Sequence, residues 1–105
     1  MKAVVCNRFG PLEDVVYAEV ADPVPGPKQV LVKIRVSSVG FMDTLMIEGR
    51  YQLKPPLPYI PGACGAGDVV AVGVDVTGVK VGDRVSFLNY YGAFAELIAT
   101  DEHTV

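Results

Sequence analysis

The sequence of 105 residues contains few of the side chains that build metal centres or disulfide frameworks. It has two cysteines, one histidine and no tryptophan, and Cys6 and Cys64 are far apart in the chain. A structural zinc site takes four ligands, usually Cys or His, and two distant cysteines make no disulfide framework. We therefore expect no metal. We also expect Cys6, which alternates with Val4 in a strand-like run, to be a buried, unreactive thiol.

Concentrated positive charge and long apolar runs are also missing. The net charge is −3, the pI is about 4.9, and no lysine or arginine cluster could neutralise nucleic-acid phosphates. No apolar run approaches the roughly 20 residues of a membrane helix. The opening "MKAVVCNRFG" lacks the apolar core and cleavage site of a secretory leader. These absences predict a cytoplasmic protein that binds neither nucleic acid nor membrane.

The residues that are abundant predict one mainly β domain over 1–105. Half of the residues are hydrophobic and nineteen are valines, whose branched side chains fit a pleated sheet. The stretch "QVLVKIRVSSV" (29–39) alternates apolar and polar residues, so it predicts a strand with one buried face. That face would carry Val30, Val32, Ile34 and Val36. A further strand is predicted for "GAFAELIA" (92–99).

One helix and one long loop interrupt the strands. In "FMDTLMIEG" (41–49), Met42, Leu45 and Met46 have helical spacing, and Gly49 can end a helix of one or two turns. The next segment, "RYQLKPPLPYIPG" (50–62), contains four prolines and predicts an irregular loop. A loop of this length in a compact domain is usually functional or disordered.

The glycine-rich stretch "PGACGAGDVVAVG" (61–73) resembles a phosphate-binding loop only at first sight. A dinucleotide fingerprint has the pattern G-x-G-x-x-G and opens a helix, whose N-terminus binds the pyrophosphate. Here the pattern does not occur, and a valine run that favours a strand follows Gly67. We therefore expect these glycines to bend a strand or to admit a second backbone at close range.

Several motifs in order resemble one family. "PLPYIPGACGAGDVVAVGVDVTGVKVGDRV" (56–85), the opening "MKAVV" and the P-x-P-G-P-x-x-V-L-V-K-I stretch (23–34) resemble the N-terminal GroES-like domain of medium-chain dehydrogenases and reductases. "MDTLMIEGRYQLKPPLPYIPG" (42–62) is most similar to zinc-free quinone oxidoreductases of the ζ-crystallin type. The resemblance implies a GroES-like, partly open β-barrel with one or two short helices. It also implies hydride transfer from NADPH to a quinone or another electron-poor carbonyl or alkene.

The resemblance also allows the zinc ligands to be checked one by one. Zinc-dependent relatives place a cysteine three residues before the aspartate of the helix, and a histidine and a glutamate just after the P-G pair. These positions are Gly40, Ala63 and Cys64 here. Because glycine and alanine offer no lone pair, the implied enzyme is zinc-independent.

The same resemblance implies the site residues. Gly40, Phe41 and Met42 would face the nicotinamide and the substrate cleft. Tyr51 would either donate a hydrogen bond to a developing oxyanion or merely pin the proline loop. Phe41 would either narrow the cleft or serve as a core aromatic. For Asp43 the alternatives are a carboxylate hydrogen-bonded to backbone and a chemical role.

In the family a nucleotide-binding Rossmann domain follows the GroES-like domain, and we expect that domain to lie outside residues 1–105. The implied protein is a larger NADPH-dependent oxidoreductase, of which this chain alone would be inactive. The alternative is a stand-alone GroES-like module that acts by binding or oligomerising. Apolar surface exposed where the second domain would dock makes a homo-oligomer a further expectation.

Overall fold

The computed structural model describes all 105 residues and contains six strands, one α-helix and two short 3-10 helices. The helix predicted at 41–49 and the strand predicted at 29–39 both begin at the predicted residue and end two residues earlier than predicted. The strands are β1 (Lys2–Val5), β2 (Val16–Glu19), β3 (Gln29–Ser37), β4 (Cys64–Val72), β5 (Arg84–Leu88) and β6 (Leu97–Asp101), and the helix is α1 (Phe41–Ile47). The 3-10 helices are Leu12–Asp14 and Glu102–Thr104. No helix has the length and hydropathy that crossing a membrane requires.

The strands form two small antiparallel sheets. β1 pairs with β2, and the larger sheet has the order β5-β4-β3-β6. Short bridges from Ala3 to Ala95 and from Cys6 to Tyr59 connect β1 and the residue after it to distant parts of the chain. The sheets do not close into a barrel, so the expectation of a mainly β, GroES-like domain with a partly open architecture is confirmed.

The main core lies on one face of the larger sheet. Val30, Val32 and Val69 are fully buried there, together with Phe87 and Ile98. Paired residues of adjacent strands point to the same face, and Val32 pairs with both Val69 and Ile98. The opposite face carries the ladder Lys33, Asp68 and Arg84, in which Asp68 also accepts a hydrogen bond from Arg35.

Val36 was expected on the buried face, and this expectation is wrong. Its side chain is 62% exposed. Between Ile34 and Val36 the register of β3 against β4 shifts, so that Arg35 is an extra residue without a partner in β4. A bulge of this kind reverses the alternation beyond it. Val36 therefore points to the face opposite the core.

The predicted strand 92–99 also needs correction, because β6 begins only at Leu97. Gly92 has a φ of 115°, which is outside the range of strand backbone. The next two residues bond to two different segments and join no single strand pair. The Ala93 and Phe94 amides donate to the carbonyls of Gly62 and Pro61, and the Phe94 carbonyl accepts from the Val4 amide. This segment therefore ties the proline loop to β1.

The glycine-rich stretch enters β4, and no helix follows it. A Cβ at Gly67 would overlap the carbonyl oxygen of Lys33 on the neighbouring strand, and one at Gly65 would lie 2.7 Å from the ring of Phe87. The expectation that these glycines admit a neighbour at close range is confirmed. Phosphate binding on a helix N-terminus at this place is excluded, because the glycines are paired in a sheet.

Candidate functional site

The N-terminal turn of α1 positions three of the four predicted site residues. Gly40 has extended backbone, and the helix begins at Phe41. The Asp43 carboxylate accepts a hydrogen bond of 2.8 Å from the Gly40 amide through Oδ2, and the Thr44 hydroxyl donates to the Phe41 carbonyl. Asp43 is only 4% exposed. The prediction that the Asp43 carboxylate is hydrogen-bonded to the backbone is thereby confirmed.

Phe41 is not a core residue, so the interpretation of it as a core aromatic is wrong. It is 79% exposed, because the buried face of α1 carries Asp43, Met46 and Ile47 instead. Val39, 78% exposed, lies two residues before it. At this end of the sheet Leu88 is exposed too, and it pairs with Cys64. Val39 and Phe41 therefore expose apolar side chains at the start of the helix.

Tyr51 follows the helix and is half-buried. It packs against a small second core formed by Cys6, Met46, Ile47 and Tyr59. This core joins the end of β1, the inner face of α1 and the proline loop. Gly49 ends the helix with a φ of 73°, as expected, and so turns the chain toward Tyr51. The contact fixes one side of the Tyr51 ring and is compatible with both roles considered for this residue.

The positions that hold zinc in metal-dependent relatives lie at the same end of the larger sheet. The Ser38 amide donates to the Cys64 carbonyl, and the Asn89 amide donates to the Ala63 carbonyl. Ala63 is buried and has no donor atom, Gly40 has no side chain, and only the half-buried Cys64 carries a ligand atom. No group of three or more His, Cys, Asp or Glu side chains converges anywhere in the structure. The residues present do not fit a catalytic zinc ion.

The pyrophosphate of a dinucleotide does not fit this chain either. Of the glycines that would have to surround it, Gly65 and Gly67 lie in β4, against the backbone of β3. The glycine-rich stretch therefore offers no cradle for phosphate.

The sequence did not point to Tyr59, a buried member of the second core that links it to Cys6 and to Tyr91. Its backbone exchanges two hydrogen bonds with Cys6, of 2.8 and 3.0 Å. Its ring lies 6.2 Å from that of Phe9 and packs edge-on against Tyr91 at 5.7 Å. The hydroxyl is buried and has no hydrogen-bond partner. The single tyrosine within the proline-rich run "PPLPYIPG" was a signal that the loop has a buried anchor.

Burial changes the acidity of two groups in the second core. Desolvation, with a contribution from the nearby Cys6 and Asp43 charges, raises the pKa of Tyr59 well above its usual value. Burial likewise raises the pKa of Cys6, whose thiol donates to the Arg8 carbonyl at 3.1 Å. Cys6 is 1% exposed, so the expectation of a buried thiol is confirmed.

A cavity of about 700 Å³ lies away from the predicted site residues. Tyr59, Tyr90 and Tyr91 line it together with side chains of β1, β6 and the proline loop. Gly40, Phe41, Met42 and Tyr51 do not. The structure therefore brings Gly40, Phe41 and Met42 together at the helix start, places Tyr51 against the second core, and leaves all four outside the cavity.

The domain is mainly β: it has two small antiparallel sheets and one short helix, and glycines in β4 let the neighbouring strand come close. Domains of this kind are found in oxidoreductases. The family model described as "Alcohol dehydrogenase GroES-like domain" matches residues 26–105. The chain belongs to this family, and with it to the medium-chain dehydrogenases and reductases, and its relatives include proteins named quinone oxidoreductase.

Three similar proteins illustrate the relationship. Rat quinone oxidoreductase-like protein 2 is 38% identical over 104 residues, 99% of this chain and 29% of the rat protein. An alcohol dehydrogenase of Moraxella sp. is 42% identical over 93 residues, 89% of this chain and 27% of that protein. The crystal structure of Escherichia coli quinone oxidoreductase complexed with NADPH superimposes with a TM-score of 0.92 at 26% identity, covering 99% of this chain and 32% of that one. The chain thus spans about a third of the length of these relatives.

Proposed function

We propose that residues 1–105 form the N-terminal substrate-side domain of a zinc-independent, NADPH-dependent oxidoreductase of the quinone reductase type. The observation that carries the proposal is the chemistry of the three zinc positions: Gly40 and Ala63 cannot ligate a metal, and Cys64 alone cannot hold one. The similarity to proteins named quinone oxidoreductase along nearly the whole chain supports the same conclusion. The substrate is a quinone or another electron-poor carbonyl or alkene.

In such an enzyme NADPH supplies the hydride, and the protein supplies position and polarisation. We assign the positioning of the cofactor and substrate in the cleft to the Gly40–Met42 backbone and the exposed Phe41 ring. Tyr51 is the candidate donor for the oxygen that gains negative charge, because a phenol can donate a hydrogen bond. The pyrophosphate is bound by a Rossmann domain outside these 105 residues. A cytoplasmic protein accords with the two free cysteines.

The test uses the full-length protein that carries this chain. We expect NADPH oxidation with 1,4-naphthoquinone and with an electron-poor enone, and no reduction of NADP⁺ with primary alcohols. Alcohol oxidation without quinone reduction would contradict the proposal. The 105-residue chain alone serves as a control and is expected to turn over neither substrate, because it has no phosphate cradle.

Metal content is measured independently of activity. Elemental analysis of protein purified without chelator should find less than about one zinc per ten chains, because the ligand set is incomplete. One zinc per chain would refute zinc independence, even if the quinone reductase activity were found.

A stand-alone binding module is the second candidate, favoured by the exposed Val39, Phe41 and Leu88. Reading the gene beyond Val105 separates the two candidates. A downstream βαβ unit with a glycine-rich fingerprint supports the reductase, whereas a stop codon supports the stand-alone, self-associating module.

A further inference from the structure

The α-amino group of Met1 has three acceptors around it in the fold. It donates to the Val20 carbonyl at 2.7 Å, and it lies 2.9 Å from Oδ1 of Asp22 and 3.2 Å from Oε2 of Glu19. Like the ammonium of a lysine, a charged α-amino group has three N–H donors and no acceptor. Each donor therefore has an oxygen within reach, one from the backbone and two from carboxylates.

The pairing of β1 with β2 brings these groups together. Lys2 pairs with Glu19, and beyond this pair the Val20 amide donates to the Met1 carbonyl at 2.8 Å. Met1 and Val20 thus exchange two hydrogen bonds, as paired residues of antiparallel strands do, with the α-amino group in place of a peptide N–H. Asp22 reaches the same nitrogen from the segment that follows β2.

The two ion pairs differ from an ordinary pair of surface side chains. Exposed ion pairs contribute little, partly because two long side chains must be ordered in one geometry. Here the cation belongs to the main chain and is already fixed by the strand pairing, so that only the carboxylates lose freedom. Glu19 and Asp22 remain 69% and 64% exposed, whereas the Met1 side chain is only 5% exposed. The contact therefore removes little water from the carboxylates.

The Met1 side chain links this contact to the cavity of about 700 Å³ described above. It lines that cavity together with Val5, Val20 and Pro23. Because the nitrogen and the side chain of Met1 are joined at one Cα, the contacts of the nitrogen also hold one wall of the cavity in place.

Four charged side chains share a smaller cavity, of about 370 Å³, with Met1: Glu19, Asp22, Glu96 and Lys33. Three of them are negative and one is positive, so the surroundings favour a cation. The hydrogen bond to Asp22 raises the pKa of the α-amino group above its ordinary value of 8.0. Desolvation opposes this rise, and the hydrogen bond to Glu19 adds to it.

We propose that the free α-amino group of Met1 is a cationic clamp, which holds the start of β1 on the end of β2 and on the segment after it, and that acylation of this nitrogen opens the clamp. An acyl group leaves an uncharged nitrogen with a single N–H for three acceptors, and it adds a carbonyl oxygen among other oxygens. With a thioester as acyl donor, the neutral amine attacks the carbonyl, an N–C bond forms, the C–S bond breaks, and the thiol leaves with a proton of the amine.

This modification site goes beyond the proposed function and does not depend on it, because its contacts involve neither residues 40–42 nor Tyr51. Since the clamp keeps the nitrogen charged, and only the neutral amine reacts, acylation is slow in the folded protein.

The first test compares two forms of the full-length protein that carries this chain, one with the free α-amino group and one with Nα-acetylated Met1. Hydrogen exchange of the Val20 amide should be about tenfold faster in the acetylated form, because its acceptor is the Met1 carbonyl. The Cys6 amide, which donates to the Tyr59 carbonyl at 2.8 Å, is the internal control and should exchange equally in both forms. Equal Val20 exchange in the two forms would overturn the clamp.

The second test removes the carboxylate charges one at a time. Asp22→Asn and Glu19→Gln keep the size of each side chain, and the exposed Glu13→Gln is the matched control. At pH 8, N-hydroxysuccinimidyl acetate should acylate the Met1 nitrogen about threefold faster or more in the first two variants, since a larger fraction of the amine is neutral. Glu13→Gln should react as the wild type does. Mass spectrometry of the N-terminal peptide measures the rate, and wild-type rates in both Asp22→Asn and Glu19→Gln would refute the ion pairs.

Discussion

Gly67 of β4 lies so close to Lys33 of β3 that any Cβ on it would overlap the Lys33 carbonyl oxygen. Both residues lie on the same side of the register shift between β3 and β4, which occurs between Ile34 and Val36. Gly67 opposes Ile34, and Lys33 opposes Asp68. Glycine at this position thus allows the central strands of the sheet to approach each other.

Gly67→Ala should consequently lower the free energy of unfolding by about 3 kcal/mol or more, because the obstacle is backbone and cannot move aside. Gly78→Ala is the matched control, since nothing lies within 4 Å of a Cβ there. The control should change stability by less than about 0.5 kcal/mol. Chemical denaturation of the two variants measures the difference, and equal midpoints would contradict this account of Gly67.

Tyr51→Phe distinguishes the two roles of Tyr51. If the hydroxyl donates to the developing oxyanion, kcat for quinone reduction should fall by about 100-fold, with little change in KM or melting temperature. If Tyr51 only pins the proline loop through its ring, kcat should stay within about twofold, since the ring remains. Stopped-flow measurement of hydride transfer in the full-length protein gives the answer.

Asp68 should make stability depend on acid pH. Its hydrogen bond from Arg35, at 2.9 Å, and the contact with Arg84 lower its pKa below the ordinary value of 3.8. The folded state therefore binds the proton less tightly than the unfolded chain. The stabilisation is present above about pH 4 and is lost as the pH falls through the folded-state pKa.

The measurement compares the melting temperatures of the wild type and Asp68→Asn. The variant should melt lower at pH 7, and the difference should shrink toward zero near pH 2. Asp75→Asn, with an exposed side chain, should follow the wild type at both pH values. A difference between the wild type and Asp68→Asn that persists unchanged at pH 2 would argue against the ion pairs as its cause.

The two cysteines should react at different rates. Cys64 is half-buried, whereas Cys6 is buried and its raised pKa reduces the thiolate fraction. Maleimide at neutral pH should label Cys64 at least about 100-fold faster than Cys6, and both should react in denaturant. Mass spectrometry of the digested protein locates the label. Rapid labelling of Cys6 in the native protein would mean that the second core opens readily.

Part of the site followed from the sequence alone. The missing zinc ligands at Gly40 and Ala63 are a matter of side-chain chemistry, and Gly49 could be assigned as the helix end from its type and position. The exposure of Val36 and Phe41 was less predictable. Local alternation does not reveal the bulge before Val36, and apolar character does not reveal which face of α1 is buried. Tyr59 was missed because its importance comes from contacts with Cys6, Phe9 and Tyr91, which are all far from it in the chain.

The sequence by itself determined the strand-rich character, the short helix after β3, the failed dinucleotide fingerprint and the family. These depend on local propensity, on turn residues and on motif order, all of which act within a few residues. Only the tertiary structure decided that Val36 turns outward, that β6 begins at Leu97, and that Asp43 and Tyr59 are buried. Those features arise from the register between strands and from packing between distant segments, in which each residue's environment is set by its neighbours in space.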